Sequence, residues 1–436
     1  MDKIIIKGGT PLKGTIPISG AKNSMLPLMT ASLLTDQEVT LTNVPDLVDV
    51  HSLAHLLNVL DVDTDFDPAS KTMKLHMHDE GHCVAPYDIV RKMRASILVL
   101  GPLLARSGFA DVSLPGGCAI GARPVNFHID GLKALGAEID IRDGYIVARA
   151  PGGLVGADYA MPIISVTGTE NIMMAATLAK GTTRILNAAL EPEVTDLAEC
   201  LIKMGAKISG HGTSTITIEG VEKLGGTTHM VLPDRIETGS YAIAAAITGG
   251  ELILKNTSLD LLPSFVDVLR AMGIEIHSVP EGIKVSGSPE KLKPARVRTQ
   301  PFPGYATDLQ AQLMALLCLI KGTSVIEEKI FENRMMHVPE LNRMGADISV
   351  EGTTATIQGI KKFQGAQVMA TDLRASMSLV LAALAAEGET TINRVYHLDR
   401  GYGNIDEKLS AVGASIQRVR EGEEDSQGDT HALKAV

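Results

Sequence analysis

The sequence predicts an α/β protein in which one supersecondary unit occurs six times, divided between two domains. Three observations indicate this fold class. A glycine-containing phrase recurs along the chain, six helical stretches are apolar on nearly every face, and 436 residues are too many for one ordinary core. Apolar residues make up 45% of the chain, which is enough to fill two cores.

The recurrent phrase has the form Leu/Met-Gly-Ala-x-Ile, with small variations. Its glycines are separated by 69, 68, 72 and 68 residues: Gly136, Gly205, Gly273, Gly345 and Gly413. A degenerate sixth copy, without the glycine, lies at residues 60–63. Because a glycine just after a helix readily adopts the left-handed conformation, each phrase is expected to end a helix, and an alternating strand follows.

Upstream of each phrase the sequence predicts a Gly-led strand, a loop and an amphipathic helix, preceded by a helix that is apolar on nearly all faces. Such a helix must be surrounded by protein. The six apolar stretches are residues 24–34, 95–105, 171–179, 241–248, 311–320 and 376–386. The unit is therefore strand, buried helix, strand, amphipathic helix and hairpin, with the buried helices at the centre of each domain.

Six units divide naturally into two domains of three, and the crossing is expected near residues 232–234. The first domain would be residues 22–232, with the second formed by 233–420 and 1–21. The two strands that open the chain, at residues 4–7 and 15–19, would complete the second domain if the repeat pattern continues from the C-terminal end to the N-terminal end. Residues 421–436 carry acidic residues, Gly and Ser without periodicity, so we expect a loose tail.

Composition excludes several classes of function. A net charge of −11 and only 3% aromatic residues oppose binding to nucleic acid or to an anionic membrane surface. The first residues lack the pattern of a signal peptide, and the apolar stretches, about ten to twelve residues long, are shorter than a membrane span. We therefore expect a cytoplasmic protein that inserts in no membrane and binds no nucleic acid.

The segment of residues 114–124, LPGGCAIGARP, stands out because its glycines and prolines predict a mobile loop around Cys118. Arg123 nearby would lower the pKa of this thiol and make it reactive. The alternative is that Cys118 is a small buried hydrophobic residue. We accept that alternative for Cys200 and Cys318, and mostly for Cys83. With four cysteines and no CxxC spacing, neither a zinc site nor a disulfide framework is indicated.

Basic residues occupy matching positions near helix starts and in strand-to-helix loops: Lys22, Arg94, Arg334, Arg374 and Arg400. Cations beside free helix N–H groups bind phosphate and carboxylate groups. Taken singly, each of these residues is more often a solvated surface charge, but five basic residues at matching positions of an acidic protein favour an anion site. Asp308, at a helix start, fits either chemistry or a simple N-cap. Walker, dinucleotide-binding and HExxH motifs are absent, which leaves ATP chemistry and hydride transfer without support.

Six repeats fit either a solenoid scaffold for partner binding or a two-lobed enzyme with its site in a cleft. Scaffolds carry their variable residues on one exposed face. Here the unusual residues fall in strand-to-helix loops and at buried-helix starts, which favours the enzyme.

Seven motifs, in this order, resemble those of the UDP-N-acetylglucosamine 1-carboxyvinyltransferases: SGAKNS, MRASI, LPGGCAIGARP, LPDRIETG, FENRMMHVPEL, ATDLRAS and YHLDRGY. The resemblance runs from residue 1 to about residue 420. It implies the inside-out α/β barrel fold of enolpyruvyl transferases, with two domains of three βαβαββ units. It also implies transfer of enolpyruvate from phosphoenolpyruvate to the 3-hydroxyl of UDP-N-acetylglucosamine, the first committed step of peptidoglycan synthesis, without a metal or organic cofactor.

By this resemblance Cys118 is the general acid, the site that the epoxide fosfomycin alkylates, and Asp308 is the general base. The phosphate of phosphoenolpyruvate would be held by Lys22, Asn23, Arg123 and Arg400, and its carboxylate by Arg334 and Arg374. The sugar nucleotide would contact Arg94, Arg123, Pro124, Val125, Asn126, Phe127, Ser165, Val166, Asp308 and Ile330. This chain has Ile163 and Ile164 in a segment where some relatives carry lysine.

Two other functions share much of this evidence. The sister synthase that acts on shikimate 3-phosphate has the same fold, but the cysteine-bearing loop favours the UDP-sugar enzymes. A catalytically silent paralogue would act as a regulatory binder. The presence of Cys118, Asp308 and the arginines argues against that reading.

Overall fold

The computed structural model describes residues 2–78, 82–116 and 125–420. Within these ranges the chain divides into two compact units. Unit A contains residues 2–18, 236–299 and 305–420, and unit B contains residues 19–235, less the two gaps, together with 300–304. The return of residues 300–304 to unit B was not expected from the sequence. The expected tail, residues 421–436, lies outside the described residues.

The strands in chain order are β1 (Lys3–Lys7), β2 (Lys13–Pro17), β3 (Val39–Thr42), β4 (Val62–Asp67), β5 (Thr72–Met77), β6 (Val84–Ala85), β7 (Phe109–Ser113), β8 (Glu138–Arg142), β9 (Tyr145–Arg149), β10 (Asp158–Ala160), β11 (Thr182–Leu186), β12 (Lys207–Ser209), β13 (Thr215–Glu219), β14 (Thr227–Met230), β15 (Glu251–Lys255), β16 (Glu275–Val279), β17 (Gly282–Ser286), β18 (Arg296–Arg298), β19 (Thr323–Glu327), β20 (Asp347–Glu351), β21 (Thr354–Gln358), β22 (Gln367–Met369), β23 (Glu389–Asn393) and β24 (Ser415–Val419).

The α-helices are α1 (Lys22–Ala31), α2 (Val48–Val59), α3 (Tyr87–Val90), α4 (Leu100–Ser107), α5 (Asn126–Ala134), α6 (Val166–Ala176), α7 (Pro192–Lys203), α8 (Arg235–Ile247), α9 (Pro263–Met272), α10 (Gln310–Leu317), α11 (Val338–Arg343), α12 (Ser376–Leu384), α13 (Tyr396–Asp399) and α14 (Ile405–Ser410). Short 3-10 helices span Ser32–Leu34, Arg94–Val99, Leu259–Leu261, Pro289–Lys291 and Thr307–Leu309.

The strands of the described ranges form six four-stranded sheets with one shared topology. In the sheet β10-β11-β13-β12, β10 and β11 are parallel and precede and follow α6, while β12 and β13 form the hairpin. The other sheets of unit B are β14-β3-β5-β4 and β6-β7-β9-β8. Those of unit A are β2-β15-β17-β16, β18-β19-β21-β20 and β22-β23-β1-β24.

Strands distant in sequence complete three of these sheets. In unit A, β1 pairs antiparallel with β23 and β24, and β2 pairs in parallel with β15. The sequence placed β2 at residues 15–19, two residues later than it lies. In unit B, β14 pairs in parallel with β3. That pairing was not expected, because no local pattern joins strands so far apart along the chain.

The six apolar helices lie in the interior, as the sequence predicts. Every residue of α10 and α12 is buried, and each unit has its own core of buried apolar side chains. The second apolar stretch differs in detail, since it begins as the 3-10 helix Arg94–Val99 before α4. None of the helices in the described ranges is long and apolar enough to cross a membrane.

The recurrent glycines all adopt left-handed conformations, with φ between 88° and 106°. The degenerate copy has the same geometry without glycine, because Asp61 has φ 62°. Aspartate tolerates this region better than most residues, since its short polar side chain bonds locally. The turn after the helix is therefore present in all six repeats.

Candidate active site

Asp308 lies between two buried guanidinium groups in unit A. Its Oδ1 is 2.6 Å from Nη2 of Arg334, and its Oδ2 is 3.7 Å from Nε of Arg374. The side chains of the two arginines are only 5% and 4% exposed. The N-cap positions of the 3-10 helix and of α10 are Ala306 and Leu309, so the interpretation of Asp308 as an N-cap is wrong.

Arg334 is held on several sides. Its Nη1 donates to Oγ1 of Thr307 at 3.0 Å, and its guanidinium lies 5.4 Å from the centre of the Phe331 ring. Its backbone carbonyl accepts a hydrogen bond of 2.7 Å from Nε2 of Gln310. A guanidinium fixed in this way is ready to bind a planar anion without first losing conformational freedom.

Arg374 connects the start of α12 with the loop that carries Arg400. Its Nη1 donates to the Gly401 carbonyl at 3.1 Å, and its guanidinium lies 5.2 Å from the centre of the Tyr402 ring. A Cβ atom at Gly401 would collide with the Leu373 side chain, so glycine permits this close approach. Arg400 directly precedes Gly401, at the C-cap of α13, and is partly buried.

Glu328 is a buried residue that links several elements of this site, and it was not singled out from the sequence. Its carboxylate accepts hydrogen bonds of 2.8 Å from the hydroxyls of Thr299 and Thr307 and from the backbone N–H of Ile330. It thereby joins the loop of Ile330 to the turn of Asp308. Comparison of the repeats could have indicated it. Glu328 directly follows β19, whereas three other units have asparagine directly after the equivalent strand: Asn43, Asn187 and Asn256.

In unit B, Lys22 begins α1 and forms an ion pair with Asp49, with 2.8 Å between Nζ and Oδ2. The two side chains are 12% and 3% exposed. Asp49 lies in the first turn of α2, and no sequence motif singled it out. Asn23 follows Lys22 and is partly buried.

The other residues expected in unit B lie at helix starts. Arg94 opens the 3-10 helix Arg94–Val99, and Val125 and Asn126 are the N-cap and first residue of α5, followed by the partly buried Phe127. Ser165 caps α6, whose first residue is Val166, by accepting a hydrogen bond of 3.2 Å from the Gly168 N–H. Ile163 and Ile164 are 54% and 36% exposed.

Cys118, Arg123 and Pro124 lie outside the described residues. The three other cysteines are buried, as the sequence predicts. Burial raises the pKa of the Cys200 and Cys318 thiols to about 12, so both stay protonated and unreactive near neutral pH. No group of three or more His, Cys, Asp or Glu residues in the described ranges has the arrangement of a metal site.

Comparison with known proteins identifies the family. The family model of EPSP synthase (3-phosphoshikimate 1-carboxyvinyltransferase) matches residues 6–409. The UDP-N-acetylglucosamine 1-carboxyvinyltransferase of Dinoroseobacter shibae is 58% identical over 421 residues, which cover 97% of this chain and 100% of the relative. That of Paracoccus denitrificans is also 58% identical, over 97% of this chain and 99% of the relative.

The chain belongs to the UDP-N-acetylglucosamine 1-carboxyvinyltransferase family. Solved structures show the same fold. The enolpyruvyl transferase NikO from Streptomyces tendae aligns with a TM-score of 0.85 and 25% identity, over 96% of this chain and 98% of that chain. An EPSP synthase from Acinetobacter baumannii aligns with a TM-score of 0.74 and 20% identity, over 96% and 100% of the two chains. The predicted enolpyruvyl transferase fold is thereby confirmed.

His337 is a buried residue of this carboxyvinyltransferase, three positions after Arg334 at the N-cap of α11. Neither of its ring nitrogens has a hydrogen-bond partner among the residues that the structure describes. Burial lowers the pKa of His337 from 6.5 to about 4, against the opposing influence of Asp372. The imidazole is therefore neutral in the folded protein at neutral pH.

We expect this histidine to make folding stability depend on pH. Between pH 6.5 and 4 the unfolded chain binds a proton that the folded protein does not. The free energy of unfolding therefore decreases as pH falls through this range, by at most about 1.4 kcal/mol per pH unit, and His337 adds no further loss below it. In His337→Gln this contribution disappears, so urea titrations should show a shallower dependence on pH. Equal slopes for the two proteins would contradict the prediction.

Proposed function

We propose that this chain transfers the enolpyruvyl group of phosphoenolpyruvate to the 3-hydroxyl of UDP-N-acetylglucosamine, with release of phosphate. The observation that carries the proposal is Asp308 between the buried guanidinium groups of Arg334 and Arg374, in a chain 58% identical to proteins named for this activity. Two fixed cations suit an anionic substrate, and a carboxylate between them suits proton transfer.

The proposed reaction has an addition step and an elimination step. In the addition, the sugar hydroxyl oxygen bonds to C2 of phosphoenolpyruvate, its proton passes to the Asp308 carboxylate, and the Cys118 thiol gives a proton to C3. In the elimination, C3 returns a proton to the Cys118 thiolate, the bond between C2 and the phosphate oxygen breaks, and phosphate leaves with the proton from Asp308, which restores the vinyl group and both side chains. The protein supplies an acid, a base and cations for the phosphate and carboxylate.

The binding roles follow the same proposal. Arg334 and Arg374 would hold the carboxylate of phosphoenolpyruvate, and their burial strengthens a charge-assisted hydrogen bond by excluding water. The phosphate would be held by Lys22, Asn23, Arg123 and Arg400. The sugar nucleotide would contact Arg94, Arg123, Pro124, Val125, Asn126, Phe127, Ser165, Val166, Asp308 and Ile330.

Two further assignments belong to this proposal. Units A and B would be the two domains of the family, each with three repeats. The enzyme would act in the cytoplasm, because both of its substrates are phosphorylated and do not cross membranes unaided.

Phosphate release tests the function directly. With phosphoenolpyruvate and UDP-N-acetylglucosamine the enzyme should release phosphate rapidly, and with shikimate 3-phosphate as acceptor it should release only a background amount. Equal rates with the two acceptors would contradict the substrate assignment. No release with either would contradict enolpyruvyl transfer altogether.

Replacing Arg400 by alanine should lower kcat/KM for phosphoenolpyruvate roughly 30- to 1,000-fold. This corresponds to a loss of about 2–4 kcal/mol of transition-state stabilisation. Alanine cannot bind the phosphate, whose departure is part of the reaction. Binding of UDP-N-acetylglucosamine without phosphoenolpyruvate, measured by calorimetry, should barely change. Arg343→Ala is a matched control, because Arg343 is an exposed arginine of unit A paired with Glu340. If Arg400→Ala lost binding of the sugar nucleotide and kept its affinity for phosphoenolpyruvate, the assigned role of Arg400 would be wrong.

A further inference from the structure

The first turn of α1 is not held by a cap of its own. Its N-cap residue, Ala21, offers no side-chain hydrogen bond, and this turn, which the structure describes in full, contains no acidic residue. Yet the turn carries Lys22 and Asn23, which the proposed function assigns to the phosphate of phosphoenolpyruvate. Contacts with other elements must therefore fix its position.

Asp196, in α7, provides such contacts. Its Oδ2 accepts a hydrogen bond from the Ser24 hydroxyl in the first turn of α1, and another of 3.3 Å from the backbone N–H of Leu232. Ser24 is fully buried and directly follows Asn23. The Leu232 carbonyl also accepts a backbone hydrogen bond of 2.7 Å from the N–H of Ala21. One carboxylate thus joins the start of α1 to the segment that follows β14.

His229, in β14, fixes the other oxygen of this carboxylate. Its Nε2 lies 2.8 Å from Oδ1 of Asp196, and its Nδ1 lies 3.1 Å from Nζ of Lys203. Because a carboxylate only accepts and an ammonium only donates, Nε2 carries the ring proton and Nδ1 accepts from Lys203. The ring is 4% exposed, so water does not compete strongly for either contact.

These four residues form a continuous chain, here called the Asp196 network: Ser24, Asp196, His229 and Lys203. Asp196 and Lys203 are two turns apart on the same face of α7, which packs against α1. Hydrogen bonds to a charged group are stronger than those between neutral groups. The three that the Asp196 carboxylate accepts, from Ser24, Leu232 and His229, hold it in one orientation. The network therefore restrains the first turn of α1 before any substrate binds.

We propose that Asp196, itself held by His229 and Lys203, is a positioning residue that sets the first turn of α1 so that Lys22 and Asn23 meet the phosphate of phosphoenolpyruvate. The inference rests on the proposed function. Its physical basis is preorganisation: a turn that is already ordered binds its ligand without a further loss of conformational freedom. The ion pair of Lys22 with Asp49 restrains the same turn from a second side.

Ser24→Ala tests the network by removing one hydrogen bond and little volume. The KM for phosphoenolpyruvate should rise roughly 3- to 10-fold, with kcat and the KM for UDP-N-acetylglucosamine within about 2-fold of the parent. Ser32→Ala is the matched control. Ser32 is also a buried serine, just after α1, but its hydroxyl donates to the Met29 carbonyl at 2.7 Å and not to Asp196. Its KM values should not change.

Two substitutions at His229 separate positioning from packing. His229→Gln keeps an N–H for Asp196 and a carbonyl for Lys203, and should have nearly the parent KM for phosphoenolpyruvate. His229→Phe keeps the ring but loses both hydrogen bonds, and should show the same increase as Ser24→Ala. Equal KM values for the two His229 variants would overturn the proposal, since only packing would then matter. If Ser24→Ala does not fold, this pair decides the question alone.

The outcomes distinguish the two proposals. A parent enzyme without phosphate release would remove the proposed function, and the role of Asp196 with it. An active parent whose Ser24→Ala variant has an unchanged KM for phosphoenolpyruvate would overturn the role of Asp196 alone. A rise in that KM in Ser24→Ala and His229→Phe, and in neither Ser32→Ala nor His229→Gln, would establish the network as a positioning device.

Discussion

Replacing Cys118 by alanine is expected to lower kcat by ~10²–10⁴-fold, the usual contribution of general acid catalysis. The thiol is proposed to protonate C3 of phosphoenolpyruvate, and alanine has no proton to give. Phosphate release at saturating substrate concentrations measures the loss. Cys118→Asp should keep much more activity, with its optimum at lower pH, because a carboxyl group carries its proton only in acid. Turnover like that of the parent in Cys118→Ala would remove Cys118 from this role.

Alkylation by fosfomycin provides an independent readout for the same residue. Cys83, Cys200 and Cys318 are at most 2% exposed, and burial raises the pKa of the latter two thiols to about 12. An epoxide should therefore add once, on Cys118, and inactivate the parent enzyme. Cys118→Asp should remain unmodified and active. Mass spectrometry of the treated protein identifies the labelled residue, and an adduct on Cys83 would contradict the assignment.

Asp308→Asn should lower kcat by a similar ~10²–10⁴-fold, because an amide cannot accept the proton of the sugar hydroxyl. The substitution keeps the shape of the side chain but removes a negative charge that lies 2.6 Å from Arg334. The charge of Asp308 then no longer competes with an incoming anion for the two guanidinium groups. Binding of phosphoenolpyruvate should consequently be unchanged or tighter, while turnover is abolished or nearly so.

The separation of kcat from binding distinguishes this role from a structural one. Asp260→Asn is a matched control, since Asp260 also lies in the first turn of a 3-10 helix in unit A but is exposed. Asp308→Asn should unfold at a lower temperature, because it leaves two buried guanidinium groups less compensated, but both variants should be folded at the assay temperature and only Asp308→Asn should lose turnover. Weaker binding of phosphoenolpyruvate at parental kcat would show that Asp308 serves the anion site and not proton transfer.

Much of the fold could be predicted because its signals are local. A helix that is apolar on every face must be interior, and a glycine directly after a helical pattern readily takes the left-handed conformation that ends the helix. The six buried helices and the spacing of the repeats follow from these two rules. Even the degenerate copy at Asp61 keeps the predicted turn, since aspartate adopts positive φ there.

The candidate site was predictable to the extent that its residues lie in recognisable motifs. The motifs contain Arg334 and Arg374, the family resemblance assigns Asp308, and the structure brings these three together in unit A. The motifs did not reveal Glu328 or Asp49, because a buried carboxylate looks in sequence like a surface charge. Only the surrounding structure shows that Glu328 accepts hydrogen bonds from several elements and that Asp49 pairs with Lys22.

The sequence by itself determined the repeated unit, the buried helices and the family, since each depends on residues that are neighbours in the chain. Tertiary structure alone decided which distant residues meet. The pairing of β14 with β3 and the bond from Ser24 to Asp196, 172 positions away, are two cases. Their physical reason is the same: a hydrogen bond depends on distance and direction in space, and the packing of helices and sheets sets both. No periodicity along the chain records them.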